Sequence, residues 1–146
     1  MRLFNPKIWQ LDFVAGLLMM AGCGTGSPSR PASHFHDVFS PDVRSLAREY
    51  RELRKQSGHY RGGEWNDDVD RYGGKLHRVM GELGKRLEGL PMKRADILAL
   101  MGEPDATQTQ GEADQLVYFW RGWHDYLYFL CEGESVKGIA WYFAYE

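Results

Sequence analysis

The sequence predicts an α+β domain of two layers, with helices packed on one face of a three-stranded antiparallel sheet. Three observations predict it. Apolar residues recur at helical spacing as far as Leu87, a short punctuated helix follows, and beyond residue 105 the period falls to about two. Hydrophobic residues at 43% and aromatics at 14% supply a core, which excludes a disordered chain. A length of 146 residues fits one domain with an extension.

The first helix is expected in "SPDVRSLAREYRELRKQSG". Ser40 is a candidate N-cap, Pro41 suits the first helical position and Asp42 complements the helix dipole. Val43, Leu46, Tyr50 and Leu53 form one apolar stripe, and Lys55 followed by Gly58 provides a stop. Arg44, Arg48, Arg51 and Arg54 make the helix basic, which reads as a solvated face. After a loop from Gly58 to Trp65, Asp67 or Asp68 is expected to cap a second helix carrying Leu76, Val79, Met80, Leu83 and Leu87. Gly81 and Gly84 each cost this helix about 1 kcal/mol against Ala, so a close neighbour is their natural justification.

"PMKRADILALMGEPD" reads as a short third helix with Ile97, Leu98 and Met101 pointing one way. Gly102 supplies the left-handed stop and Pro104 prevents continuation. "QLVYFWR", "DYLYFLCE" and "SVKGIAWYFAYE" then read as strands, with Gly122 and Gly133 in the turns between them. Such short connections favour an antiparallel meander.

The opening of the chain has a different character. Arg2 and Lys7 precede an apolar run from Phe13 to Gly22, and small Ala21 and Gly22 precede Cys23. Ten residues fall short of the about 20 that a bilayer span needs, whereas the order positive, apolar, small is that of a secretory signal. Met20-Ala21-Gly22-Cys23 resembles a lipobox. On that reading residues 1–22 are a lipoprotein signal peptide, Cys23 is lipidated, residues 23–38 are a flexible linker and residues 39–146 are the α+β domain. "GTGSPSRPASH" has the composition of a tether. Loss of Arg2, Lys7 and Asp12 with the leader shifts the formal charge from −2 to −3. Neither value recruits nucleic acid or anionic lipid by itself.

From about residue 88 to 146 the chain resembles the SmpA/OmlA family of small outer-membrane lipoproteins, which includes the BamE subunit of the β-barrel assembly machinery. The resemblance lies in "GLPMKRADILALMGEPD", the aromatic stretch Val117 to Trp120 and the strand pair after it. It implies a BamE-like helix pair on a three-stranded antiparallel sheet, a lipid anchor, a protein partner and no catalytic centre.

The residues themselves suggest little chemistry. His34 and His36 lie near the tether, His59, His77 and His124 are scattered, and no spacing closes a metal site. "NDDVDRYGG" puts Arg71 where a calcium loop needs glycine and His77 where it needs glutamate, so a capped helix start is the better reading. No GxSxG elbow or phosphate-cradling loop is present, and Cys131 sits in an aromatic strand where an inert thiol is expected. A hydrolase would need Asp67, Asp68, Asp70, His77 or His124 to converge in a pocket. The best surface candidate is "WRGWHDY": Arg121, Trp123 and His124 at a hairpin tip, with Trp65 of the "GGEWNDD" loop as a possible addition. Trp120 in the core and Trp123 shielding the hairpin is the structural alternative.

These readings combine into an expectation. The protein is a non-enzymatic lipoprotein, lipid-anchored at Cys23 on the periplasmic face of the outer membrane, that binds a partner protein and uses no metal or cofactor. An inhibitor-type or binding domain of the same shape with no anchor is the competing expectation.

Overall fold

The computed structural model describes residues 37–144. Helix α1 spans Pro41–Arg54, α2 Lys75–Leu87 and α3 Arg94–Met101; strands β1 Ala106–Gln110, β2 Ala113–Phe119, β3 Asp125–Glu132 and β4 Ser135–Phe143 follow. The strands form one antiparallel sheet in the order β1-β2-β3-β4. The α+β class is therefore as the sequence predicts, but the sheet has four strands rather than three.

The extra strand is β1, "ATQTQ". It has no apolar alternation to mark it, because it lies at the sheet edge and buries none of its residues fully. Its backbone pairs with β2 from Ala106↔Val117 to Gln110↔Ala113, which leaves Gly111 and Glu112 as a two-residue loop. Gly111 takes φ +67° while Glu112 does not take a positive φ. Glycine at the first central position is what a type II′ hairpin requires.

Ser40 caps α1 by accepting from the Val43 N–H at 3.4 Å, with Pro41 behind it. The buried stripe is Val43, Ala47, Tyr50 and Leu53, with Leu46 half-buried beside it. Helix α1 ends at Arg54 with Lys55 as C-cap, so Gly58 is not its stop. Gly58 is small for another reason: a Cβ there would meet Asp70 Oδ1 at 2.6 Å and Val69 Cγ2 at 2.7 Å.

The aspartate cap expected for α2 is also corrected. The N-cap is Gly74, without a side-chain hydrogen bond. Residues 67–73 wind as turns first, and the Asp68 backbone carbonyl, not its carboxylate, takes the Leu76 N–H at 2.9 Å. Gly74 lies so close to the Asp67 and Arg71 carbonyls that a Cβ would sit 2.5 and 2.7 Å from them.

The helices cover one face of the sheet. Leu76, Met80, Leu83 and Leu87 of α2 and Ile97, Leu100 and Met101 of α3 meet Leu116, Tyr118, Leu127, Phe129 and Cys131 of the strands. Leu100 takes the buried place expected for Leu98, which is half-buried. Alternation sends Val117, Phe119, Tyr126 and Tyr128 to the helix-free face. No helix among the described residues is long and apolar enough to cross a membrane.

Candidate binding site

The loop between α1 and α2 is built around one carboxylate. Asp70 is buried, and its Oδ2 accepts the backbone N–H groups of His59 at 2.9 Å and Asn66 at 2.8 Å. This fixes the strand-proximal side of the loop, where two further bonds tie it to the β2–β3 turn. The Trp120 indole N–H donates to the Val69 carbonyl at 2.8 Å, and Arg121 Nε donates to the Asp70 carbonyl at 3.0 Å. The turn itself closes through the Trp120 and Arg121 N–H groups, both donating to the Asp125 carbonyl at 3.0 Å, with Gly122 at φ +62°.

The sequence-predicted site residues separate across this turn. Arg121 folds back over the Trp120 ring, 4.1 Å from its centroid, and over Tyr60 at 5.6 Å. Its Nη1 lies 3.6 Å from the buried Asp125 carboxylate. Arg121 and His124 join Tyr60, Tyr72, Trp120 and Phe143 around an open recess of about 560 Å³. Trp123 goes to the other face, packed edge-on against Phe119 at 4.8 Å and Tyr126 at 5.9 Å while half of it stays exposed. Trp65 is exposed on the α1–α2 loop and donates its indole N–H to Asp67 at 2.7 Å. Cys23, the leader, and the His34–His36 pair lie outside the described residues.

Next to the recess, and sharing Tyr72 and Phe143 with it, runs a trough of about 450 Å³ between α2 and β4. Its floor is apolar: Leu127, Ile139, Trp141 and Phe143 from the sheet, with Gly81 and Gly84 from the helix. Gly84 does allow a close neighbour, since a Cβ there would touch Leu127 Cδ1 at 3.6 Å and Ile139 Cγ2 at 3.8 Å. Gly81 faces open space instead. No protein-family model, no curated protein and no solved structure matches the chain.

At the junction of recess and trough stands His77. Its imidazole lies 4.6 Å from Tyr72, 4.4 Å from Trp120 and 5.3 Å from Trp141, ring to ring. Burial, and after it the Arg121 guanidinium, push the imidazole below its ordinary pKa against the pull of Asp125. His77 is thus an uncharged ring among rings at neutral pH. Sequence inspection missed this trough because its residues come from α2 and β4, some 60 positions apart; the glycines at 81 and 84 were its one local signal.

The carboxylates that a hydrolase would need are engaged elsewhere. Asp67 pairs with Arg71 at 3.4 Å, Asp68 with Lys75 at 2.7 Å, and Asp70 holds the loop. No group of three His, Cys, Asp or Glu side chains suited to a metal occurs among the described residues. Burial raises the Cys131 thiol above its ordinary pKa, which suppresses the nucleophilic thiolate.

Proposed function

We propose that the protein is a non-enzymatic envelope lipoprotein, processed before Cys23 and held there by acyl chains on the periplasmic face of the outer membrane. Its task is to bind a partner protein, in outer-membrane protein assembly or in keeping the envelope intact. The resemblance of residues 88–146 to the SmpA/OmlA family supports that assignment, and the lipobox-like Met20–Cys23 supports the anchor.

One structural observation carries the binding role. An open apolar trough and an aromatic recess meet at His77 beside a turn that gives Arg121 and His124 to the recess and exposes Trp123 on the opposite face. Tyrosine, tryptophan and arginine, the side chains of Tyr60, Tyr72, Trp120 and Arg121 that line the recess, are those enriched at binding hot spots. Confinement to one membrane surface raises the effective concentration of domain and partner without new contacts.

Two measurements test the reading. Palmitate should label the wild-type chain, and Cys23→Ala should abolish labelling and release the protein from membranes. Cross-linking in intact envelopes should trap a defined complex that Trp123→Ala weakens at unchanged Tm. An unlabelled, unprocessed chain free of membranes overturns the anchor; a complex indifferent to Trp123 overturns the turn as a contact.

A further inference from the structure

We infer that the basic row along α1, Arg44, Arg48 and Arg51, docks an acidic segment of the partner protein, whose carboxylates enter the recess that these arginines form with the end of α3. The inference rests on the partner-binding reading and gives the partner's chemistry at a second surface, apart from the sites that meet at His77.

The three arginines follow at i, i+4 and i+7, so they share one face of α1 over about 10 Å of its axis. With Asp37, Phe39, Ala99 and Leu100 they line an open recess of about 570 Å³. Backbone holds the outer two in place. Arg44 Nε donates to the Phe39 carbonyl, and Arg51 Nη1 donates to the Ala99 and Leu100 carbonyls at 3.1 and 2.6 Å. Arg48 stands exposed between them and makes no hydrogen bond or ion pair among the described residues. Carbonyls orient a guanidinium without cancelling its charge, and like charges one turn apart weaken a helix. Arg54, the fourth arginine of α1, shows the contrast: it pairs with Asp105 and bonds the Glu103 carbonyl at 3.1 Å. A solvated face needs no such pinning, whereas fixed guanidinium forks are what carboxylates dock on.

Charge selects the occupant. Of the residues lining the recess, three guanidiniums stand against one carboxylate, Asp37, which accepts the Phe39 N–H at 3.0 Å and pairs with no cation among the described residues. Glu52, one turn beyond Arg48, is taken by Lys55 at 2.7 Å. The recess therefore keeps a positive excess, and an acidic side chain entering it gains the counter-charge that the fold does not supply. A membrane is a poorer match than a narrow segment. Along α1 as a whole, Asp37, Asp42, Glu49 and Glu52 offset Arg44, Arg48, Arg51 and Lys55, so over the breadth of a bilayer contact the charges cancel. Only a ligand narrow enough to follow the row meets arginine alone.

The test titrates the full chain, as the cell processes it, with a fluorescent helical peptide bearing glutamates at i, i+4 and i+7. Binding should weaken about tenfold when those glutamates become glutamines, and by the same factor in Arg48→Glu. It should also weaken as salt rises from about 0.1 to 1 M and the Debye length falls from about 10 to 3 Å. Arg48 bonds to nothing in the fold, and its replacement removes repulsion from Arg44 and Arg51, so Tm should not fall. In intact envelopes Arg48→Glu should weaken the Trp123-dependent complex. No binding of the glutamate peptide, equal binding of the glutamine peptide, or unchanged binding to Arg48→Glu overturns the inference. Three further outcomes overturn it by giving the row another ligand. Inorganic phosphate bound as tightly as the peptide makes it a phosphate site. Adsorption of the Cys23→Ala chain to anionic vesicles, lost in Arg48→Glu, makes it a membrane contact. A dimer that Arg48→Glu dissolves makes it a self-contact. If the envelope complex still needs Trp123 but ignores Arg48→Glu, the binding role stands and only this surface is lost.

Discussion

The Trp120 indole N–H and the Val69 carbonyl, 51 residues apart in the chain, meet at 2.8 Å in a buried hydrogen bond. That bond makes the α1–α2 loop and the β2–β3 turn one unit, with Arg121 to the Asp70 carbonyl as a second tie. Trp120→Phe keeps an aromatic ring but removes the indole donor and part of the buried ring volume, which leaves a buried carbonyl without its partner. The lost hydrogen bond should cost about 1–3 kcal/mol with the void adding to it, and urea denaturation measures the sum. Hydrogen exchange should quicken between residues 58 and 74 more than in the sheet. Uniform quickening would mean that the loop is held by something else.

Asp70 and Gly58 form a coupled pair. Asp70→Ala strips two backbone N–H groups of their acceptor and should cost several kcal/mol, each orphaned donor about 1–3. Gly58→Ala drives a Cβ into the Asp70 carboxylate and Val69. In the double variant the carboxylate clash is gone and the Val69 clash remains. The two losses should therefore add to less than their sum in a double-mutant cycle. Strict additivity would separate the two residues.

Stability should respond to pH through His77. Its imidazole is pushed below 6.5 in the folded protein, so the unfolded chain binds the proton more readily. Its contribution is fully present above about pH 6.5 and is lost as pH falls through the folded value. His77→Phe keeps a ring in the cluster and removes the titration. The variant's stability curve should be flatter on the acid side than the wild type's. An NMR titration of His77 at or above the ordinary value would contradict the cause assigned here.

Much of this fold was legible locally. Ser40, Pro41 and the α1 stripe carried their own punctuation, and so did Gly122 and Gly133 at positive φ; Gly102 ends α3 as expected, but at φ +79° and ψ −167° rather than in the left-handed helical conformation. What was not legible is non-local. Strand β1 has nothing apolar to bury, so only its pairing with β2 defines it. The α2 start moved because a wound loop, held by a carboxylate aimed backward at His59 and Asn66, intervenes after Asp68. Arg121 and Trp123 are two residues apart in the chain yet serve opposite faces, because Gly122 between them turns the backbone.

Cys131 should be silent in the native state. It is fully buried in β3 and its thiol is raised by burial. A disulfide-exchange reagent at neutral pH should find it only after denaturant is added, and Cys131→Ala should lower Tm by leaving a void in the core. Rapid labelling of the folded chain would show an opening of β3–β4 that the static structure does not contain.

Gly84→Ala should stabilise the protein. Gly84 lies inside α2, where glycine costs about 1 kcal/mol against alanine. The added methyl group would meet Leu127 and Ile139 at 3.6 and 3.8 Å, ordinary packing distances rather than a clash. Helix propensity and new contact therefore act in the same direction, and a rise in Tm of about 4 °C is expected for a domain of this size. A larger residue reverses the sign, because the next carbon would enter the sheet. If Gly84→Ala lowers Tm, then α2 sits closer to β3 and β4 than 3.6 Å allows, and the glycine is retained for that approach alone.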